Sequence, residues 1–252
     1  GLSGEGLSPT LTCIIHDSQP ERKYPALIAI PGGSYEHCSK REGEPCAARW
    51  YSYGYNGFVL DYSCVNKPFP TALLELCAAV EYIKSHADEL CCDGRVILCG
   101  FSAGGHLAAS LGVHFGKYQG LFNENIRPDG MVLCYPVITA GEFAHRGSFN
   151  ALVGGDEKMN DTVSLEKKVN EDTIPSFIWH TFEDGTVPVE NSLLMAGALR
   201  KYKIPCELHI FAKGCHGLAL ATDETACLTG KEIQPECACW PELFSTWFNA
   251  LQ

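Results

Sequence analysis

One serine of the sequence lies between glycines, at the point where an apolar run changes into a helical pattern. The stretch CGFSAGGHLAAS (99–110) places Gly100 two residues before Ser102 and Gly104 two residues after it. A serine on a tight strand-to-helix turn needs very small residues at these positions, because larger side chains collide there. The N–H of Ala103, at the helix N-terminus, points at negative charge that develops beside the serine. The pattern predicts a nucleophile at Ser102; a purely structural tight turn is the alternative.

A serine hydroxyl becomes a good nucleophile only when a base removes its proton, and the base needs an acid to orient it. Where a nucleophile lies on such a turn, the order along the chain is serine, acid and histidine. If the acid follows the strand-like run SFIWH (176–180), only His209 and His216 remain downstream. His209 lies inside the alternating run ELHIF, which is typical of a strand residue. His216 lies in KGCHG, in the loop after the last strand, and is therefore the predicted base.

Two carboxylates follow the run 176–180 and compete for the role of the orienting acid. Asp184 is followed by Gly185 and then by Pro188, which can begin the next helix. Its side chain is shorter than that of Glu183, which suits a loop that holds an imidazole rigidly. We therefore favour Asp184 over Glu183. Two other nearby histidines are interpreted as structural, namely His106 on the helix after the serine and His180 at the end of a buried strand.

A second glycine-rich loop can supply N–H donors to the same reaction. The segment PGGSYEHCS (31–39) follows the apolar run ALIAI. Its two glycines let the backbone curl so that consecutive N–H groups converge on one point. We expect Gly33 and Ser34 to form an oxyanion hole together with Ala103. An ordinary glycine-rich turn is the alternative.

Short aliphatic runs alternate with helical patterns along the chain, and several runs are apolar on both faces, as in a parallel sheet that helices cover. This alternation predicts an α/β fold with a doubly wound, mostly parallel sheet in one domain, residues 1–252. The interval 141–173 is polar and interrupted, and we expect at most a small cap or lid there. The predicted strands are 26–30, 57–60, 95–99, 131–135, 176–180 and 207–211, and the clearest helical patterns are 73–83, 104–115 and 189–203.

The composition disfavours several classes of partner. The formal net charge is −11, and no run of lysine or arginine is long enough to follow a phosphate backbone. No apolar run approaches the ~18 residues that span a bilayer, and no signal peptide is visible in GLSGEGLSPT. We therefore expect a partner that is a small molecule, and neither nucleic acid nor a membrane.

The 14 cysteines favour a reducing compartment over a disulfide framework. Several occupy positions that suit small buried apolar residues, which is typical of free thiols; they are Cys13, Cys64, Cys77, Cys99, Cys134 and Cys206. The tail carries Cys227, Cys237 and Cys239, but their spacing is poor for zinc. We expect a cytoplasmic protein that needs no metal and no organic cofactor.

Four motifs of this chain occur together: IPGGSY (30–35), GFSAGGHLA (100–108), WHTFEDGTVPVENS (179–192) and KGCHGLAL (213–220). Together they resemble the α/β-hydrolase carboxylesterases of the hormone-sensitive-lipase and the bifunctional feruloyl and acetyl-xylan esterase type. The first loop reads Pro-Gly-Gly-Ser where the lipase-like branch has His-Gly-Gly-Gly, which favours the bacterial acetylesterase branch. The first strand-like run starts near Leu11, so a large N-terminal helical cap is not expected.

The resemblance implies hydrolysis of short acyl esters, with acetyl groups on plant-polysaccharide oligosaccharides as expected substrates. In that case Ser102 attacks the ester carbonyl, His216 carries the proton and Asp184 orients His216. A peptidase or amidase is the second hypothesis, because one fold hosts several chemistries. A hydrolase fold retained only for binding is the third.

Overall fold

The computed structural model describes residues 9–17, 21–65 and 67–251. Its strands are β1 (Thr10–Ile14), β2 (Tyr24–Ile30), β3 (Asn56–Asp61), β4 (Cys92–Phe101), β5 (Gly130–Cys134), β6 (Ser176–Thr181) and β7 (Cys206–Phe211). Within the described residues these seven strands form one sheet in the order β1-β3-β2-β4-β5-β6-β7. Strands β2 to β7 are parallel, and β1 pairs with β3 in the antiparallel direction at one edge. The predicted doubly wound, mostly parallel sheet is thereby confirmed.

Helices cover both faces of this sheet. They are α1 (Glu44–Ser52), α2 (Thr71–Ser85), α3 (Ala103–Tyr118), α4 (Arg146–Val153), α5 (Asn160–Val163), α6 (Glu190–Lys201) and α7 (Trp240–Ala250). Side chains that alternate along a strand enter different cores. Ile28 of β2 packs with α2 and α3 in one cluster, whereas its neighbour Leu27 packs with α1 and α7 in another. No helix in the described ranges is long and apolar enough to cross a bilayer.

All six predicted strands are present, and their ends differ from the prediction by at most three residues. The interval 141–173 contains α4, α5 and short helical turns, and its role as a cap stays a prediction. The expectation that Cys13 is buried is wrong, because its side chain is exposed on the edge strand β1. Of the other five, Cys77, Cys99 and Cys134 are buried, and Cys64 and Cys206 are half-buried.

The turn between β4 and α3 is packed backbone against backbone. A Cβ at Gly100 would lie 2.3 Å from the carbonyl oxygen of Gly104, and a Cβ at Gly104 would lie 2.0 Å from that of Ile30. Side chains at these positions would therefore push the start of α3 away from the sheet. The two glycines are what allow Ser102 to occupy the turn.

We expect Gly104→Ala to lower the free energy of unfolding by about 3 kcal/mol or more, because the contacting oxygen belongs to a buried strand. Gly116→Ala on the same helix is the matched control. Its Cβ meets nothing within 4 Å, so alanine should stabilise the protein by about 0.5–1 kcal/mol. Urea unfolding of both variants measures the difference, and equal effects would contradict the packing argument.

Candidate active site

Ser102 lies between β4 and α3 in a strained backbone conformation. Its φ is 52° and its ψ is −117°, in a region that residues other than glycine rarely adopt. Its N–H donates to the carbonyl oxygen of Cys134 at 3.0 Å, and its own carbonyl accepts the N–H of Val137 at 3.1 Å. These hydrogen bonds to the neighbouring strand and the loop after it hold the turn in place. The side chain stands at the carboxyl edge of the sheet.

His216 reaches Ser102 from the loop after β7, here called the histidine loop (residues 212–222). Its Nε2 lies 2.8 Å from Ser102 Oγ, and its Nδ1 lies 2.6 Å from Asp184 Oδ2. A carboxylate only accepts hydrogen bonds, so Nδ1 carries the proton and Nε2 accepts from the serine hydroxyl. The flanking residues Gly214 and Gly217 have φ values of 136° and 77°, which other residues rarely adopt.

Asp184 is buried on the loop after β6 and accepts four hydrogen bonds. Oδ1 accepts the N–H groups of Thr186 at 2.9 Å and Val187 at 3.0 Å. Oδ2 accepts from His216 and from His180. Burial raises the pKa of this carboxyl, but the hydrogen bonds from His180 and His216 outweigh burial and hold its pKa well below the usual range. Asp184 is therefore ionised, whereas its competitor Glu183 is exposed to solvent.

His180, interpreted from the sequence as a structural residue, contacts Asp184. Its Nε2 lies 3.2 Å from Asp184 Oδ2 and 3.1 Å from the carbonyl oxygen of Val187, so it carries a proton that both acceptors share. Its Nδ1 accepts from the hydroxyl of Ser192 at 2.8 Å. His180 thus donates to the same carboxylate oxygen that accepts from His216. The only indication of this contact in the sequence is the short spacing between His180 and Asp184.

The glycine-rich segment 31–39, here called the oxyanion loop, lies against the serine. A Cβ at Gly32 would lie 2.9 Å from the Cβ of Ser102. Gly33 and Ser34 have φ values of 123° and 59°, so the backbone curls here as the two glycines suggest. The segment and the turn that carries Ser102 therefore meet at one edge of the sheet.

The orientation of this loop leaves two N–H groups free. The carbonyl of Gly32 accepts the N–H of Ser39 at 2.9 Å, and the carbonyl of Gly33 accepts that of Glu36 at 2.9 Å. Because the C=O and N–H of a trans peptide point in opposite directions, the N–H groups of Gly33 and Ser34 face away from these bonds. Within the described residues, neither has an acceptor. The N–H of Ala103 is the first of α3 and has no partner inside the helix.

A buried imidazole ties the oxyanion loop to α3. The hydroxyl of Tyr35 donates to His106 Nδ1 at 2.8 Å, and His106 Nε2 donates to the carbonyl oxygen of Val163 at 2.8 Å. Burial lowers the pKa of His106 to about 4, so the ring is neutral at neutral pH. His106 therefore connects three segments, which exceeds the packing role that its position in the sequence suggested.

All 14 cysteines have free thiols. In the described part of the chain, no group of three or more histidine, cysteine, aspartate or glutamate side chains is arranged to hold a metal ion.

A serine on a strand-to-helix turn of this sheet defines the class of the protein, which is an α/β hydrolase. Two family models match the sequence: BD-FAE over residues 14–131, and the prolyl oligopeptidase family over residues 73–228. The chain belongs to the prolyl oligopeptidase family. The predicted resemblance to carboxylesterases is confirmed by relatives that are esterases and other hydrolases.

Three of these relatives are informative. The chain is 41% identical over 231 residues to endo-1,4-beta-xylanase B of Butyrivibrio fibrisolvens. The matched region is 87% of this chain but only 36% of that protein. The acetyl ester-xyloside bifunctional hydrolase of Caldicellulosiruptor lactoaceticus is 39% identical with a TM-score of 0.85, over 96% of this chain and 88% of the other. The carboxylesterase Cest-2923 of Lactobacillus plantarum WCFS1 is 30% identical with a TM-score of 0.86, over 97% and 93%.

Proposed function

We propose that the protein is a serine carboxylesterase that removes short acyl groups, chiefly acetyl, from carbohydrate esters. The observation that carries the proposal is the unbroken hydrogen-bonded chain from Ser102 Oγ through His216 to the buried carboxylate of Asp184. The names of the relatives support an ester of a xylose-containing carbohydrate.

Acylation would begin at Ser102. His216 Nε2 takes the hydroxyl proton while Oγ attacks the ester carbonyl carbon, and the carbonyl oxygen becomes an oxyanion. The N–H groups of Gly33, Ser34 and Ala103 donate to this oxyanion. As the tetrahedral intermediate collapses, His216 returns the proton to the leaving alcohol oxygen and an acyl-enzyme remains. A water molecule then repeats the sequence at the acyl carbon and releases the acid.

Asp184 would keep His216 in the working tautomer. Its carboxylate holds the proton on Nδ1, which leaves Nε2 free to accept the serine proton, and it stabilises the imidazolium that then forms. His180 donates to the same oxygen and so limits rotation of the carboxylate.

Packing beside the serine favours a short acyl chain. His106 lies one helical turn after Ser102, and its ring meets Phe149 edge-on at 5.4 Å between centroids. Tyr35 of the oxyanion loop meets Tyr62 at 5.8 Å, and both are 4% exposed. We therefore expect these large, mutually packed rings to limit the room for a long acyl chain near Ser102.

We expect kcat/KM to fall by about tenfold or more from p-nitrophenyl acetate to the octanoate ester, because added methylenes find no space. An open apolar pocket would give the opposite trend, since each buried methylene contributes about 0.8 kcal/mol. Initial rates on the acetate, butyrate and octanoate esters test this. Equal or faster hydrolysis of octanoate would contradict the short-chain proposal.

A peptidase or amidase is the second candidate, and the match to the prolyl oligopeptidase family favours it. The same serine, histidine and aspartate could cleave an amide. Comparison of p-nitrophenyl acetate with p-nitroacetanilide separates the two, because they share an acyl group and differ in the leaving atom. Comparable turnover of the anilide would favour the amidase.

A further inference from the structure

A buried carboxylate next to the candidate active site has no part in the chemistry described above. Glu42 lies in a short helical turn, Lys40–Glu42, and is only 3% exposed. A Cβ at Gly32 would lie 2.9 Å from Glu42 Oε2 and 2.9 Å from Ser102 Cβ, so Gly32 is in close contact with both residues. Burial of a carboxylate costs free energy unless hydrogen bonds compensate it.

One oxygen of Glu42 fixes the oxyanion loop. Oε2 accepts the N–H of Gly32 at 2.9 Å. The carbonyl of the same residue is held by the N–H of Ser39 at 2.9 Å. With both of its backbone polar groups fixed, Gly32 sets the plane of the next peptide and therefore the direction of the Gly33 N–H. Of these two hydrogen bonds, the one from Gly32 N–H to Glu42 is charge-assisted, because its acceptor is a carboxylate.

The other oxygen of Glu42 reaches the histidine loop through Tyr135. Oε1 accepts the hydroxyl proton of Tyr135 at 2.7 Å, and this hydroxyl accepts the N–H of Ala219 at 2.8 Å. The ring of Tyr135 also meets the ring of His216 edge-on at 5.0 Å between centroids. Tyr135 therefore contacts both the backbone of the histidine loop and the imidazole that the loop carries.

The residue before Glu42 contacts the histidine loop as well. Arg41 Nη2 donates to the carbonyl oxygen of Gly217 at 2.6 Å, and Nη1 donates to that of Thr225 at 2.6 Å. This helical turn thus contacts the oxyanion loop through Glu42, and the histidine loop through Arg41 and, by way of Tyr135, through Glu42.

We infer that Glu42 is a positioning residue for the proposed ester hydrolysis, on which this inference rests. Its carboxylate holds the oxyanion loop and the histidine loop at a fixed distance from each other, so that the N–H donors and His216 act on the same tetrahedral centre. Glu42 acts through Gly32 and Tyr135 and touches neither substrate nor reacting atoms.

Glu42→Gln tests this link while it preserves the size of the side chain. A glutamine offers one acceptor oxygen where the carboxylate offers two, so it cannot accept from both Gly32 and Tyr135. We expect kcat for p-nitrophenyl acetate to fall on the order of 10- to 100-fold with KM nearly unchanged, because misplaced donors act in the transition state. Labelling of Ser102 by a fluorophosphonate should slow in parallel, since it passes through a similar oxyanion.

Glu75→Gln is the matched control. Glu75 is also buried, at 5% exposure, and its oxygens accept from the N–H and the hydroxyl of Ser63 at 2.7 and 2.6 Å. Neither bond goes to the oxyanion loop or the histidine loop. We expect this variant to lose stability as Glu42→Gln does and to keep its kcat.

Tyr135→Phe separates the two halves of the link. It keeps the ring against His216 and removes the hydroxyl between Glu42 and Ala219. A smaller loss of kcat in the same direction is expected, and the double variant should lose less than the product of the single losses. If Glu42→Gln fails to fold, Tyr135→Phe decides the test. The inference is then overturned if this variant keeps both the kcat and the fluorophosphonate labelling rate of the parent.

The inference is also overturned if Glu42→Gln keeps kcat within about twofold of the parent or loses no more than Glu75→Gln. Failure of the proposed function looks different, because the parent protein then shows no Ser102-dependent turnover of any ester. In that case the rate of fluorophosphonate labelling still measures how Glu42 affects the attack of Ser102.

Discussion

Ser102→Ala is expected to lower kcat for p-nitrophenyl acetate on the order of 10⁴-fold, because no other group can form the acyl-enzyme. The fold should survive. Alanine carries a Cβ as serine does, so the steric strain at a φ of 52° is unchanged. The lost hydroxyl makes one hydrogen bond, to the half-buried ring of His216. Steady-state rates and urea unfolding of the same preparations measure the two effects.

Ser110→Ala is the matched control for this experiment. Ser110 lies on the same helix and is 1% exposed, and within the described residues its Oγ has no hydrogen-bond partner. Its removal should leave both activity and stability close to those of the parent. A fluorophosphonate probe should label the parent and Ser110→Ala and fail to label Ser102→Ala. Near-normal turnover in Ser102→Ala would contradict the assignment of the nucleophile.

Features that depend on near neighbours in the sequence could be predicted. Gly100 and Gly104 lie within two residues of Ser102, so the steric need of the turn is visible in one short window. The strands were recognisable for a similar reason, since each is a short apolar run. Once the strands were placed, chain order and a loop position predicted His216 as the base, and the residues that follow Asp184 favoured it over Glu183 as the acid; both roles stay predictions. The contacts among their side chains needed the structure.

Features that depend on distant residues could not be predicted. Glu42 is 93 positions from Tyr135, and Tyr135 is 84 positions from Ala219, so nothing in any local window relates them. The exposure of Cys13 also depends on distant residues. An apolar run does not reveal whether its strand lies at the edge of the sheet, as β1 does. Residues 141–173 form helices of eight residues or fewer, too short for a clear period.

The C-terminal helix α7 is different, because a local pattern in the sequence indicates it. Trp240, Phe244 and Phe248 recur every four residues and are all buried, and Pro241 stands at the helix start. The predicted helices nevertheless did not include this segment. The four-residue spacing of its apolar side chains indicates an amphipathic helix.

Asp184→Asn is expected to lower kcat/KM on the order of 10³- to 10⁴-fold, through the tautomer of His216. The carboxylate accepts from four donors, two backbone N–H groups on Oδ1 and two imidazoles on Oδ2. An asparagine has one acceptor oxygen. If that oxygen stays with the backbone, its NH₂ faces His216 Nδ1, and Nε2 must then carry the proton and cannot receive another from Ser102.

The opposite orientation of the amide would lose stability instead of activity. Its NH₂ would then face the N–H groups of Thr186 and Val187, and each buried donor left without an acceptor costs about 1–3 kcal/mol. Because the pKa of Asp184 is lowered in the folded state, its stabilising contribution is complete above the ordinary aspartate pKa of about 3.9 and is lost as the pH falls further. The stability difference between parent and variant should therefore shrink below about pH 4.

Glu183→Gln is the control that makes this experiment decisive. It makes the same chemical change one position earlier, on a side chain that is exposed, so activity and stability should both be retained. Loss of activity in Glu183→Gln together with normal turnover in Asp184→Asn would transfer the role of the acid to Glu183. Loss in Asp184→Asn alone would show that the buried carboxylate, held by two imidazoles, determines which nitrogen of His216 is free to act as the base.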